Sequence, residues 1–145
     1  MRTHLAVALT LAALAATFPP PASAARGPRA PETLEGTRWE VQVVPGELSR
    51  AQGELPFAET LAFENGQIVT CEWPSHGFPP ASRYKEKKRK DKLTFESDQK
   101  GQAGEKAEWS GDVRSGLMRG ILVWKQKDGS EINYWFRGRA EAPTP

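Results

Sequence analysis

The chain has 145 residues, with 20 Lys and Arg against 18 Asp and Glu, and a formal net charge of +2. This near balance gives no reason to expect nucleic acid as a partner. The single cysteine, Cys71, excludes an internal disulfide, so the stability of the fold must come from its core.

The first 24 residues have the pattern of a secretory signal peptide. Arg2 and His4 precede an apolar run, Leu5 to Ala16, and Ala22-Ser23-Ala24 supplies an A-x-A cleavage site. The run of about twelve residues is too short to cross a ~30 Å hydrocarbon core, so we expect an exported protein, periplasmic or extracellular, that does not span a membrane. Cleavage would leave 121 of the 145 residues, which suits one domain with one core.

The mature chain divides into a flexible leader, a single domain and a short tail. Residues 25–33 are rich in Pro, Ala and Arg without an apolar period, residues 34–139 carry the strand patterns, and residues 140–145 are polar and proline-containing. Trp39, Val41 and Val43 alternate with polar residues and predict the first strand. Residues 47–52 favour a helical turn within the long connection that follows.

The next strand signals lie around an Asn-Gly dipeptide. Leu61 and Phe63 alternate with smaller or polar residues, and Asn65-Gly66 then predicts a hairpin whose second strand runs from Gln67 to Trp73. We expect Cys71 to be a buried apolar residue on a strand face; the alternatives are a reactive thiol and an intermolecular bridge. The proline-containing stretch that follows, residues 74–80, predicts a loop at one end of the sheet.

Five further strands are predicted towards the C-terminus. Residues 82–86 and 92–97 form one pair, and residues 108–138 contain three strands joined by Ser115-Gly116 and by residues 127–130. Eight short, regularly spaced strands indicate an antiparallel sandwich or up-and-down barrel. The large aromatic residues of the last three strands favour an aromatic core; they are Trp109, Trp124, Tyr134, Trp135 and Phe136.

Three glycines interrupt these last strands, where glycine is intrinsically unfavourable by roughly 0.5–1 kcal/mol. They are Gly111, Gly120 and Gly138. We expect each to allow the close approach of a large ring or the sharp coiling of a closing sheet.

The opening Gly36-Thr37-Arg38-Trp39, with the later W-S-G, M-x-G and Y-x-F-x-G patterns, resembles the calycin type of barrel. The chain is similar to lipocalin-like domains and to small secreted bacterial proteins over residues 34–139. The resemblance implies a small closed barrel of about eight strands, with Arg137 or Arg139 as the partner of Trp39. Trp39 is followed by Glu40-Val41-Gln42 rather than by the W-x-N-x-x-G pattern of avidins, so biotin binding is not implied.

The sequence contains no recognisable catalytic motif, and we expect neither an enzyme nor a cofactor. Cys71 and His76 are five residues apart, but Trp73-Pro74 would turn the chain between them, so a strand cysteine and a loop histidine are expected rather than a nucleophile and base. The same two residues leave a metal site without enough patterned ligands.

A basic segment from Arg83 to Lys92 carries seven cations against Glu86 and Asp91. One interpretation is a contact for an anionic surface, and the other is a solvated hairpin end that protects against edge-to-edge aggregation. The seven cations are Arg83, Lys85, Lys87, Lys88, Arg89, Lys90 and Lys92.

Eight strands enclose a space that side chains can fill or that holds one small ligand, and the sequence leaves both alternatives open. The first interpretation is an exported, non-enzymatic, lipocalin-like barrel that binds a small apolar or aromatic ligand. Its wall would be Trp39, Trp109, Trp124, Tyr134 and Phe136, and its mouth Trp73, His76 and Phe78. The alternative is a cell-envelope interaction module with a solid core that contacts anionic surfaces through the basic segment. The oligomeric state is left open.

Overall fold

The computed structural model describes residues 31–142. It contains eight strands, one short α-helix and one 3-10 helix. The strands are β1 (Arg38–Pro45), β2 (Phe57–Glu64), β3 (Gln67–Thr70), β4 (Ala81–Arg89), β5 (Lys92–Lys100), β6 (Lys106–Arg114), β7 (Leu117–Lys125) and β8 (Glu131–Ala140). Helix α1 covers Glu47–Ala51, and the 3-10 helix covers Trp73–His76.

Each strand pairs antiparallel with the next, and β1 also pairs with β8, so the meander closes into a barrel. The all-β antiparallel barrel predicted from the alternation and spacing of the strands is therefore confirmed, and the sandwich is excluded. The predicted helical turn is α1.

Two of the hairpins depend on residues in the left-handed region. Asn65 and Gly66 have φ values of 54° and 71°, and Ser115 and Gly116 have 50° and 73°. Two consecutive positive φ values are the signature of the type I′ turn, whose twist matches that of the flanking strands. These turns lie at the end of the barrel where β1 begins and β8 ends, which we call the lower end. The opposite end, with α1 and the 3-10 helix, is the upper end.

The interior is filled with buried apolar side chains from alternate positions of every strand except β4, which contributes the partly buried Tyr84. At most 5 % of the surface of each of the buried residues is exposed. The largest interior side chains include Trp39, Trp73, Trp109, Tyr134 and Phe63.

Gly120 and Gly138 occupy interior positions where no side chain fits. A Cβ atom on Gly120 would lie 2.4 Å from Cζ of Phe136 and 2.2 Å from the carbonyl oxygen of Ser110. A Cβ atom on Gly138 would lie 1.9 Å from the carbonyl oxygen of Glu40. A Cβ atom on Gly111 would likewise lie 2.8 Å from Cε1 of Phe95. Close ring approach and tight coiling, the two reasons expected for these glycines, are both present.

The segment before β1 covers the lower end of the barrel. Leu34 is fully buried, and its backbone amide donates to the Glu86 carboxylate at 2.8 Å. Tyr84 donates to Glu35 at 3.0 Å, and burial, followed by this bond, raises the pKa of the phenol. Residues 32–33, predicted as the end of a flexible leader, also contact the barrel: Thr33 donates to Glu86 and Glu32 pairs with Lys88.

Three local predictions are wrong. Strand β3 ends at Thr70 rather than at Trp73, because the chain turns into the 3-10 helix, and Cys71 is therefore exposed instead of buried on a strand face. Strand β2 begins at Phe57, three residues before Thr60, where its predicted alternation starts. Arg137 and Arg139 are exposed on the outer face of β8, whereas Trp39 is buried inside, so neither packs on Trp39.

The predicted signal peptide over residues 1–24 lies outside the described residues, as do residues 25–30 of the leader and 143–145 of the tail. Among the residues that the structure describes, no helix is long and apolar enough to cross a membrane.

Candidate functional site on the outer wall

The upper end is closed by the loop after β3, and Glu59 holds this loop in place. The Glu59 side chain points inward from β2 and is 1 % exposed. Its carboxylate accepts hydrogen bonds from the backbone amides of Thr60, Cys71, Glu72 and Trp73 at 2.7–3.1 Å. A carboxylate with several backbone donors is a strong, charge-assisted arrangement, so the start of the 3-10 helix is fixed to the barrel wall.

Trp73 fills the upper half of the interior. Its ring centroid lies within 6.2 Å of those of six other aromatic rings. Those rings belong to Phe57, His76, Phe78, Trp109, Trp124 and Tyr134. The residues predicted for the pocket mouth thus meet three of the predicted wall residues, and the meeting place is a packed aromatic cluster.

The other two predicted wall residues lie lower in the barrel. Phe136 packs against Trp109 with a centroid separation of 5.5 Å. Trp39 is buried near the lower end, and its Nε1 donates to Thr37 Oγ1 at 2.8 Å. All five predicted wall residues face inward, but only Trp109, Trp124 and Tyr134 contact Trp73.

Several buried polar atoms near the upper end have no hydrogen-bond partner among the described residues. They are Thr70 Oγ1, Trp73 Nε1, Gln99 Nε2 and Trp124 Nε1. Gln99 uses its oxygen to accept from Trp109 Nε1 at 3.2 Å. Unpaired buried donors are rare and destabilising, so this cluster is the chemically unusual part of the interior.

The Tyr134 hydroxyl connects the cluster to the connection between β1 and β2. It donates to Glu54 at 2.8 Å. Burial, followed by the hydrogen bond and charge of Glu54, raises the pKa of the Tyr134 phenol.

The basic segment is divided between two surfaces. Lys85 and Lys87 point outward from β4 and line a broad groove on the barrel wall. Lys88, Lys90 and Lys92 line a smaller cavity of about 240 Å³ at the lower end, where Lys88 pairs with Glu32. Arg83 and Arg89 are exposed on the same strand. The seven cations therefore do not form one continuous contact surface.

The broad groove, which we call the outer groove, has a volume of about 1070 Å³ and crosses the outer faces of β4 to β8. Two rows of outward side chains follow the strand register across it. The first row is Lys85, Glu96, Ser110, Ile121 and Trp135. The second row is Lys87, Thr94, Asp112, Arg119 and Arg137.

The floor of the outer groove is formed where the paired glycines lie. Gly111 and Gly120 are directly opposite each other in the register, and both line the groove with Phe95 and Phe136. Because these glycines let the sheet approach the two rings closely, the wall curves inward here. The same glycines that complete the core therefore also shape the outer surface.

The charges in the groove are mixed. Four cations, Lys85, Lys87, Arg119 and Arg137, line the groove together with Glu86, Glu96 and Asp112. Glu86 is engaged with Thr33 and Leu34. Oδ1 of Asp112 lies 3.5 Å from Arg119 Nε, yet this buried oxygen has no hydrogen-bond partner among the described residues.

Trp135 stands at the edge of the outer groove and is 64 % exposed. The sequence placed it among the aromatic core residues, and that interpretation is wrong, because Tyr134 and Phe136 on either side take the inward positions. A second cavity of about 400 Å³ lies beyond Trp135, and Trp135 and Arg137 line both. Val44 and Ile121, each 37 % exposed, flank Trp135 in the register.

The candidate residues for catalysis or metal binding lie apart from this groove. His76 packs on Trp73 with a centroid distance of 4.5 Å, and its Nδ1 is 3.4 Å from Ser75 Oγ. Within residues 31–142, no group of three or more His, Cys, Asp or Glu side chains is placed to hold a metal ion.

Comparisons with protein-family models, with curated proteins and with solved structures found no match for this chain. Its function must therefore be inferred from the geometry of its own residues.

The residues that line the groove outside the basic segment were not predicted from the sequence. Strand alternation places Trp135 and Arg137 opposite the buried faces of Tyr134 and Phe136, so each could have been assigned to the outside. Their alignment with Arg119, Asp112 and Lys87 depends on the register of five strands, which no local pattern contains.

Proposed function

We propose that this protein is an exported, non-enzymatic binding module that recognises an anionic partner through the outer groove. The observation that carries the proposal is the alignment of Lys85, Lys87, Arg119 and Arg137 around a concave surface next to the exposed ring of Trp135. Tryptophan and arginine are the residues most often responsible for binding energy at protein interfaces. Export is inferred from the targeting pattern of residues 1–24.

The packing of the barrel favours an external site. Trp73 and the rings around it occupy the upper interior, and the lower interior is filled by residues such as Phe63, Leu61 and Met118. A ligand in a lipocalin-like interior would have to displace this cluster, whereas a ligand in the outer groove displaces only solvent. The packing therefore favours the second interpretation drawn from the sequence, an interaction module with a solid core. Of the basic segment, Lys85 and Lys87 would contact the partner.

The proposal is tested by titrating the protein with three anionic probes at low salt: polyglutamate, polygalacturonate and vesicles containing phosphatidylglycerol. We expect binding of at least one probe, detected by the fluorescence of the exposed Trp135, and weaker binding as salt screens the charges. The double variant Lys85→Ser/Lys87→Ser should reduce the affinity. Its matched control is Lys100→Ser/Lys127→Ser, which removes the same charge from exposed positions at the upper end.

Absence of binding to all three probes at low salt would overturn the proposal. An equal loss of affinity in the control variant would do so as well, because binding would then depend on overall charge and not on the groove.

A second candidate function is binding of a small apolar or aromatic ligand inside the barrel. The unpaired donors of Trp73, Trp124 and Gln99 favour it, because the oxygen atom of a ligand would satisfy them. Entry would require the loop held by Glu59 to move. Screening a panel of hydrophobic ligands by tryptophan fluorescence and melting temperature tests this candidate, and unchanged signals throughout would remove it.

A further inference from the structure

We infer that the partner in the outer groove is an acidic polysaccharide, bound as an extended chain that crosses the strands. This inference rests on the proposed function and adds the chemical class of the ligand. Three properties of the groove point to it: its length and concavity, the partly exposed carboxylate of Asp112 among its cations, and the single exposed aromatic ring at its edge.

The shape of the groove suits a chain. The first row of side chains extends from Lys85 on β4 to Trp135 on β8, and four steps between neighbouring strands span on the order of 19 Å. The cavity beyond Trp135 continues this path towards Val44 on β1. A compact ion would contact only a fraction of this length, and a flat bilayer surface would bridge a concave groove instead of entering it.

The mixture of charges suits a ligand that carries both anionic groups and hydroxyl donors. The guanidinium groups of Arg119 and Arg137 are directly opposite in the register, and guanidinium groups bind carboxylates through paired hydrogen bonds. Asp112, beside them, offers the opposite chemistry: its buried Oδ1 is ion-paired with Arg119, but its side chain is 25 % exposed, so the carboxylate can accept from a hydroxyl group of a ligand. A polymer of phosphates or carboxylates without hydroxyl groups would gain nothing from Asp112 and would be repelled by it and by Glu96.

Trp135 supplies a flat apolar surface next to these polar groups. The apolar face of a sugar ring packs on an indole by dispersion contacts while its hydroxyl groups remain free to bond at the ring edge. Grooves for single-stranded nucleic acid instead present several aromatic rings on which successive bases stack. Among the described residues, Trp135 is the exposed aromatic side chain of this wall, which favours a sugar chain over a nucleic acid.

The test compares polygalacturonate, which has carboxylates and hydroxyl groups on sugar rings, with polyglutamate, which has carboxylates on a peptide backbone and no hydroxyl groups, at equal charge and salt. The other probes are neutral dextran, single-stranded DNA and the anionic vesicles. We expect polygalacturonate to bind at least tenfold more tightly than polyglutamate or DNA, and dextran to bind weakly. Trp135→Ala should weaken polygalacturonate binding by about tenfold or more. Leu48→Ala, at another exposed apolar position, is the control.

Asp112→Ala gives the sharpest result, because the two polymers should respond in opposite directions. Loss of the acceptor should weaken polygalacturonate binding by about tenfold. Loss of the negative charge should leave polyglutamate binding unchanged or strengthen it. Melting curves of each variant establish that the barrel remains folded.

The inference is overturned if polyglutamate, DNA or vesicles bind as tightly as polygalacturonate, or if Asp112→Ala affects both polymers equally. In those cases the proposed recognition of an anionic partner would stand, provided that Lys85→Ser/Lys87→Ser still weakened it. Failure of all anionic probes to bind would overturn both.

Discussion

Glu59 Oε2 accepts a hydrogen bond from the backbone amide of Trp73 at 2.7 Å, although both residues are buried. The upper end of the barrel is closed by this contact and its three companions. Since buried backbone donors that lose their acceptor are destabilising by about 1–3 kcal/mol each, the free energy of unfolding should depend strongly on Glu59.

We therefore predict that Glu59→Gln lowers the free energy of unfolding by about 1–3 kcal/mol, because its amide group presents a donor to other donors. Glu59→Ala should lower it further. Urea denaturation followed by tryptophan fluorescence measures both changes. Glu64→Gln, at the exposed end of the same strand, is the control and should change stability by less than ~0.5 kcal/mol. A value for Glu59→Gln as small as that of the control would contradict the role of Glu59.

Alanine at Gly120 should be more destabilising than alanine at Gly111. The Cβ of Gly120→Ala would lie 2.2 Å from a backbone oxygen, whereas that of Gly111→Ala would lie no closer than 2.8 Å to any neighbouring atom. Overpacking typically lowers stability by about 1–3 kcal/mol, so we expect about 2 kcal/mol for Gly111→Ala and more than ~3 kcal/mol for Gly120→Ala. Thermal and urea unfolding measure the loss of stability in each variant. A larger loss for Gly111→Ala than for Gly120→Ala would contradict the prediction.

Cys71 should react with a thiol reagent in the folded protein. Its side chain is exposed, and Glu59 is bonded only to its backbone amide. We expect full labelling under native conditions, without the delay that an opening step would impose. Cys71→Ser should change the free energy of unfolding by less than ~0.5 kcal/mol. Labelling that occurs only in denaturant would contradict this placement.

The two tyrosines should both ionise above the ordinary tyrosine pKa of about 10. Burial is the main cause of the raised pKa of Tyr84 and Tyr134, and the hydrogen bonds to Glu35 and Glu54 add to it. Because the pKa is higher in the folded state, this contribution to stability is complete below pH ~10 and is lost as pH rises through the folded-state pKa. Absorbance at alkaline pH measures the ionisation, and both groups contribute because the chain has no other tyrosine.

Tyr134→Phe separates the two tyrosines in that titration. It should remove the component due to Tyr134 and lower the stability at neutral pH by about 1 kcal/mol, since Glu54 loses its donor. Ionisation of the remaining Tyr84 near the ordinary value would contradict its buried, hydrogen-bonded environment.

The architecture was predictable because its determinants are local. Asn65-Gly66 and Ser115-Gly116 specify tight turns by their own backbone preferences, and strand alternation assigns Tyr134 and Phe136 to the interior. The role of Glu59 was not predicted, because its determinants are not local. Glu59 occupies an inward position between Phe57 and Leu61, but a carboxylate interrupts the apolar alternation, and its partners come from a loop that cannot be placed without the tertiary structure.

The candidate site was predictable only in part. The basic character of β4 was visible, but its lysines lie on two faces of the strand: Lys85 and Lys87 point outward, whereas Lys88 pairs with the buried Leu93 at the lower end. The partnership of Lys87 with Arg119 and Arg137 requires the register of β4 to β8. Such relationships arise only when the chain has closed on itself.

The pairing of β1 with β8 determines how the domain would respond to a mechanical load applied at its two ends. Trp39 lies opposite Ala140, and the amide of Glu141 bonds to the carbonyl of Arg38 at 2.8 Å, so the ends of the domain leave the barrel side by side. Pulling them apart stretches the hydrogen bonds between these strands along their own direction, and the bonds break one pair after another instead of sharing the force. Under such a load the barrel would therefore open first between β1 and β8, the pair of strands that closes it.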